Sequence, residues 1–353
     1  MDLGDKLNMD KLERLKVNAE EIVTVEELTS ILDKKKPRAY IGFEPSGAVH
    51  IGWKICINKI LDFLECDFDF TVLLADWHAY INDKLGGDIE RIRLCGRYME
   101  DCFAAMGVDK NRIKFVYASD YISDPDYWEL VIKTAKNTSL ARVKRAMDIM
   151  GRKEEDADKD LSKLFYPAMQ VADMFYLDLD VVYGGMDQRR AHMLARETAR
   201  KLSRKTPVAL HTPLLTGLQA QGRMNPVEAK MSKSNPDSMI SIHDDEHMVE
   251  KKILKAFCPE KQVEMNPVLD IWRYILFVEK NRIVIRRPKH FGGDLEVKSF
   301  EVLKKMFAHG DIHPLDLKKA TISYLNEILR PVHEYFKKHP RNLNRMRELG
   351  ILL

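Results

Sequence analysis

Residues 39–53 read Ala39-Tyr40-Ile41-Gly42-Phe43-Glu44-Pro45-Ser46-Gly47-Ala48-Val49-His50-Ile51-Gly52-Trp53. The first five form an aromatic and β-branched run suited to a strand, the next four are turn formers, and a helical pattern occupies residues 51–64. The unit then repeats. Residues 68–75 are nearly all apolar, as expected of a parallel strand buried on both faces, residues 89–106 read as a helix, and residues 113–118 supply a third strand. Alternation of this kind predicts a Rossmann-like parallel sheet wound by right-handed crossovers, with ligands at the strands' carboxyl ends.

Outward from this core, residues 9–34 read as helical, with Thr24 followed by Glu26 and Glu27 as a second helix start. Residues 127–152 are helical and basic, and residues 152–163 form a charged stretch expected to loop into solvent. The sheet resumes at 180–183, ends at Gly184-Gly185, passes through a helix at 188–202 and returns at 208–211. After residue 245 the pattern is helical only, at 245–257, 267–277, 299–308 and 314–338. The fold class expected is therefore α/β: an N-terminal helical segment (1–38), a Rossmann-like domain (39–240) carrying a helical insertion (119–165), and a C-terminal α-helical domain (241–353).

Lys and Arg number 57 against 54 Asp and Glu, so the net charge of +3 announces no polyanion partner, and any nucleic-acid surface must be local. Five scattered cysteines without a C-x-x-C pair suit reduced thiols in the cytoplasm. A charged amino terminus and the lack of an 18-residue apolar run give no expectation of a membrane.

Three constellations carry chemistry. His50 and Gly52 stand where the first strand hands over to its helix, a terminus whose free N–H groups and dipole accept phosphate; His50 read alone is also a capping or packing residue. Lys230-Met231-Ser232-Lys233-Ser234 sits among loop formers and suits the charge of a leaving pyrophosphate, or is an ordinary solvated turn. Tyr166, Gln170 and Asp173 fall on one helix face within an apolar stretch, where buried polar groups need partners, either local ones or a ligand.

Together the first two resemble the signatures of class I aminoacyl-tRNA synthetases, H-I-G-H and K-M-S-K-S. The second matches letter for letter; the first departs where Trp53 replaces the final histidine. The third, with Tyr40, Gln188 in Gly184-Gly185-Met186-Asp187-Gln188-Arg189 and the segment Leu74-Ala75-Asp76-Trp77-His78, resembles the tyrosyl-tRNA synthetases of archaea and eukaryotes. That resemblance implies catalytic roles for His50, Lys230 and Lys233, and ATP binding by Gly42, His50, Gly52, Lys230, Ser232, Lys233 and Ser234. It implies that Asp173 and Tyr40 bind the substrate phenol, that Tyr166, Gln170 and Gln188 hold its α-ammonium, and that His78 touches or supports the site. It implies L-tyrosine, ATP with Mg2+ and tRNA(Tyr) as reactants, a homodimer, no resident metal, and cytoplasmic work. Lys133, Lys136, Arg142, Lys144 and Arg145 become candidates for the acceptor stem, or a solvated face, and Phe291, His313 and Asp316 for the anticodon. The alternatives are a tryptophanyl-tRNA synthetase and a non-catalytic paralogue that binds tRNA or nucleotide.

Overall fold

A computed structural model describes residues 10–147, 160–219, 231, 236–280 and 282–352. The chain opens with α1 (Lys11–Lys16), β1 (Glu21–Val23) and α2 (Val25–Leu32), then β2 (Arg38–Phe43), α3 (Trp53–Glu65), β3 (Asp69–Leu74), α4 (Asp76–Ile81), α5 (Ile89–Ala105) and β4 (Ile113–Tyr117). Next come α6 (Pro125–Lys136), α7 (Leu140–Ala146) and α8 (Ser162–Tyr176). The sheet is completed by β5 (Val181–Gly185), α9 (Arg189–Lys201) and β6 (Val208–Thr212).

The six strands lie in the order β1-β6-β5-β2-β3-β4, all parallel except β1. The chain builds outward from β2 through β3 to β4, then returns to the other side of β2 to lay down β5 and β6. The connections therefore diverge between β2 and β5, and a crevice must open at the carboxyl ends of these two strands. Below it, α3 buries Ile55, Ile57, Ile60 and Phe63, with the Phe63 ring against Phe68, Phe70 and Tyr183.

Three expectations need correction. Residues 21–23, read as helical, form an antiparallel edge strand on β6. Tertiary partners override the local pattern there, because Arg189 grips Glu21 through both Nε and Nη2 and His211 Nδ1 lies 3.0 Å from the same carboxylate. The helix expected over 127–152 is broken after Lys136, where Ser139 caps a new start through the Arg142 N–H; residues 148–159, including most of the expected loop, lie outside the described residues. The C-terminal part is not purely helical. Between α10 (Glu246–Lys255), α11 (Pro267–Ile271) with its π turn Trp272–Leu276, and α12 (Phe300–His309), α13 (Pro314–Lys338) and α14 (Arg341–Glu348), it carries the hairpin β7 (Ile283–Ile285) and β8 (Leu295–Val297). An Ile-Val-Ile triplet favours the strand, and two buried isoleucines anchor it. The expected start at Thr24 holds: its side chain accepts from the Glu27 N–H while Glu27 accepts from the Thr24 N–H.

The division drawn at residue 240 is no gap in packing, since one apolar cluster runs from Phe63 to Phe307 and Met346. Polar ties reinforce it: Tyr98 Oη lies 2.8 Å from His243 Nε2, and Asn342 donates to Asp101 at 2.8 Å. Within the C-terminal part, the wholly buried Trp272 donates its indole N–H to Thr321 on α13 at 2.7 Å. Thr321→Val strands that donor and is expected to cost about 1–3 kcal/mol of stability. Thermal unfolding checks this, and an unchanged midpoint would deny the bond a structural role.

Candidate active site

The crevice is a cavity of about 610 Å³ lined by Tyr40, Gly42, Glu44, His50, Gly52, His78, Tyr166, Gln170, Asp173, Gln188 and Met231, among others. Parallel strands end here because β2 and β5 hand over to elements on opposite sides. Gly184 and Gly185 permit the tight return into the turn Met186–Gln188: a Cβ on Gly184 would stand 3.0 Å from the Gln188 Cβ, and one on Gly185 would stand 2.7 Å from Leu214.

At the closed end lies Asp173, wholly buried on α8. Its Oδ1 accepts from the phenols of Tyr121 at 2.8 Å and Tyr127 at 3.0 Å, and His78 Nε2 stands 3.1 Å from its Oδ2. Tyr40 lines the same cavity, wholly buried, and its phenol is held well above its ordinary range, first by burial and then by the Asp173 charge. Burial likewise raises Tyr121 and Tyr127, so all these phenols stay protonated and able to donate. For His78, burial opposes protonation, but Asp173, with Glu44 and Asp76 behind it, raises the pKa above 6.5 overall. Its Nδ1 is buried with no hydrogen-bond partner among the described residues, as is Gln170 Oε1, and its Nε2 meets Asp173 as a close charge contact without hydrogen-bond alignment.

Nearer the mouth, Tyr166 donates to Glu44 Oε1 at 2.7 Å, Asn82 donates to both Glu44 oxygens, and Lys84 stands 3.4 Å away. Gln170 Nε2 donates to Gln188 Oε1 at 3.0 Å, joining α8 to the turn after β5. Tyr166, Gln170 and Asp173 thus share one face of α8, as their spacing predicts, and that face lines the cavity.

At the head of α3, His50 Nδ1 accepts from the Gly52 N–H at 3.2 Å, so the histidine closes its own turn while lining the cavity. A Cβ on Gly52 would stand 2.8 Å from the His50 ring, so here glycine makes room for a side chain of this chain. A Cβ on Gly42 would meet only ordinary contacts. Trp53 stacks on Phe43 with centroids 4.4 Å apart and packs near Phe103, an apolar role that a histidine would fill poorly. Lys230, Ser232, Lys233 and Ser234 lie outside the described residues. Met231 between them is buried in the cavity wall and donates its N–H to Leu215 O at 2.6 Å.

Sequence reading missed Glu44, Tyr121 and Tyr127. Glu44 was visible only as part of a turn, although a charge at the carboxyl end of a sheet strand is a usable signal. The two tyrosines precede or begin a basic helix with no spacing that ties them to Asp173.

The model of class I tRNA synthetases (W and Y) matches residues 32–330. The tyrosine–tRNA ligase of Sulfolobus acidocaldarius is 49% identical over 340 residues, which are 93% of this chain and 94% of that protein. The chain belongs to the class I tyrosyl-tRNA synthetases. The crystal structure of tyrosyl-tRNA synthetase from Aeropyrum pernix is similar to this synthetase at a TM-score of 0.87 and 44% identity, covering 98% of this chain and 99% of that one. The enzyme from Archaeoglobus fulgidus, solved in complex with L-tyrosine, aligns at a TM-score of 0.84 and 44% identity over 92% of this chain and 98% of that one.

Away from the cleft, the synthetase's candidate nucleic-acid residues are placed as follows. Lys133 pairs with Glu129, Arg142 pairs with Glu197 at 3.0 Å, and Arg190 donates to Arg145 O, so part of the basic cluster is engaged within the surface of α6, α7 and α9. His313 is exposed and caps α13 by accepting from the Leu315 N–H, and Asp316 occupies the first turn of that helix. Phe291 ends the short turn Lys289–Phe291. Arg287 bonds both Gly293 O and Asp311 O, bringing the Phe291 and His313 segments together, a link with no sequence signal.

Because His78 has a raised folded pKa, its pairing with Asp173 stabilises the fold fully below the ordinary value of 6.5, and that contribution is lost as pH rises through the raised value. Asp173→Asn removes the nearest anion and leaves burial dominant. The His78 ring titration, followed by NMR, is then expected to shift to lower pH; an unmoved midpoint would assign the shift to Glu44 and Asp76 instead.

Proposed function

We infer that the chain is a tyrosine–tRNA ligase, which activates L-tyrosine with ATP to tyrosyl-adenylate and transfers the tyrosyl group to the 3′ end of tRNA(Tyr). The observation that carries this reading is a buried carboxylate, Asp173, facing Tyr40 at the closed end of a cleft between two diverging strands. A substrate phenol both donates and accepts, so it serves Asp173 and Tyr40 together; an indole N–H only donates, and phenylalanine does neither. A phenylalanine in this pocket leaves buried polar groups unpaired, and tyrosyl enzymes are themselves the standing example of selectivity obtained this way without editing. Tyr166, Gln170 and Gln188 take the α-ammonium, with Glu44 adding negative charge beside them. His78 orients and balances Asp173.

ATP lies along Gly42, His50 and Gly52, with its phosphates toward the α3 amino terminus and Lys230, Ser232, Lys233 and Ser234. Magnesium enters as part of the MgATP substrate. Among the described residues no three His, Cys, Asp or Glu side chains group to hold a metal. The tyrosine carboxylate attacks the α-phosphorus in line, and pyrophosphate leaves; the chain's task is positioning and charge neutralisation, with no demand for a side-chain base. The amino acid then passes to a terminal ribose hydroxyl of the tRNA, whose acceptor stem meets the basic insertion and whose anticodon meets Phe291, His313 and Asp316.

Trp128, Ile132, Leu140, Leu161 and Phe165 are exposed apolar side chains concentrated on α6 to α8, which suits burial between two copies in a homodimer. The work is cytoplasmic, where these substrates occur, and no helix among the described residues is long and apolar enough to cross a membrane.

ATP–pyrophosphate exchange is expected with tyrosine and neither phenylalanine nor tryptophan; exchange with tryptophan alone, or none at all, overturns the assignment. Lys233→Ala should slow pre-steady-state pyrophosphate release by on the order of 10²-fold while leaving tyrosine affinity nearly intact. Ile132→Asp is expected to lower the mass measured by sedimentation to that of one chain.

A further inference from the structure

The wall of the cleft that carries Met231 is held from an unexpected direction. After β6 the chain runs through Thr212, Pro213, Leu214 and Leu215, all lining the cavity. Leu215 O accepts the Met231 N–H at 2.6 Å. The next residue, Thr216, donates its hydroxyl to Asp270 Oδ2 at 2.5 Å, and Asp270 belongs to α11 in the C-terminal part. A second tie follows two residues on, where Leu218 O accepts the Phe257 N–H at 2.8 Å.

Asp270 is itself firmly seated. The buried Asn266 caps α11 by accepting from the Val268 and Leu269 N–H groups and donates to Gln262 O. Directly after α11 the chain enters the π turn, where Trp272 is bonded to Thr321 on α13, the helix whose first turn holds His313 and Asp316. A π turn inserts a residue into the helical ladder and is kept where it serves placement or function. Burial pushes the Asp270 carboxyl up to about 6, with the Thr216 hydroxyl and Arg273 opposing that rise. A carboxyl placed where ionisation is costly has work that a neutral apolar side chain could not do, namely to fix a hydroxyl by accepting from it.

We propose that Asp270 is a positioning residue for adenylate formation: through Thr216 and Leu215 it fixes Met231 against the ATP wall of the cleft. This rests on the reading of the cleft as an ATP and tyrosine site. The tyrosine end, built on α8, β2 and α4, shares none of these bonds. The link also means that α13, whose head carries His313 and Asp316, is joined to Met231 by three bonds in sequence, Trp272–Thr321, Asp270–Thr216 and Leu215–Met231.

The test is ATP–pyrophosphate exchange with the full chain, with tyrosine affinity read separately by equilibrium binding. Wild-type exchange with tyrosine establishes the underlying reading, and its absence would remove that reading before this inference is reached. Asp270→Ala and Thr216→Val are each expected to raise the KM for ATP about tenfold, with the dissociation constant for tyrosine within about twofold of wild type. The double variant should be no worse than either single one, because both remove the same bond. Asp270→Asn, which still offers an oxygen to Thr216, should recover most of the lost affinity. Thermal unfolding of each variant separates placement from collapse: a lowered midpoint with unchanged KM for ATP overturns the proposal. So do additive effects in the double variant, a parallel loss of tyrosine affinity, or failure of the Asn variant to rescue.

Discussion

A carboxylate removed from water loses several kcal/mol of hydration that the protein must replace with donors, and Asp173 is such a group. Two phenols and an imidazole stand around it, each drawn from a different part of the chain: Tyr121 from the turn after β4, Tyr127 from α6, His78 from α4. Meeting that demand dictates how the insertion folds back over the sheet, since α6 must bring its first turn against α8 for Tyr127 to reach. The extensive α6–α8 packing is the apolar counterpart of the same requirement, with Leu130 and Val131 buried beside Met169 and Val171. The cleft therefore has a closed, polar end set within apolar walls, which is the condition for reading a single hydroxyl.

The other end of the cleft follows a different logic. There the lining is backbone and small residues: the helix amino terminus at α3, two glycines at the end of β5, and Met231 of the signature. Trp53 illustrates how the site tolerates departure from its family's pattern: its indole is absorbed into the Phe43 and Phe103 cluster, and the polar work at the terminus stays with His50 and with N–H groups. The two ends are supported separately, the Asp173 end by the sheet and α6, the Met231 wall by bonds that reach into the C-terminal helices.

Sheet and crossovers were legible because the parallel strands are near-continuous apolar runs, and that winding puts ligands at the strands' carboxyl ends; the switch point between β2 and β5 emerged only from the strand order. The face shared by Tyr166, Gln170 and Asp173 was legible for the same kind of reason, since helical period is local. Edge strand β1 was not, because Glu21-Ile22-Val23 carries no period that outweighs its helical neighbours; it is a strand only because β6 offers an unpaired edge and Arg189 and His211 hold Glu21. Nor was the β7–β8 hairpin, whose strands are three residues each, too short for periodicity to register.

By itself, then, the amino-acid order determined what is carried by adjacent residues: the alternation of strands and helices, the turn at Pro45 to Gly47, the signatures, and the polar face of α8. Tertiary structure alone decided which distant groups would meet, because a hydrogen bond needs two atoms within about 3 Å and sequence separation says nothing of that distance. Tyr121 and Tyr127 on Asp173, Glu44 on Tyr166, Arg287 between two turns and Asp270 on Thr216 are all of this second kind.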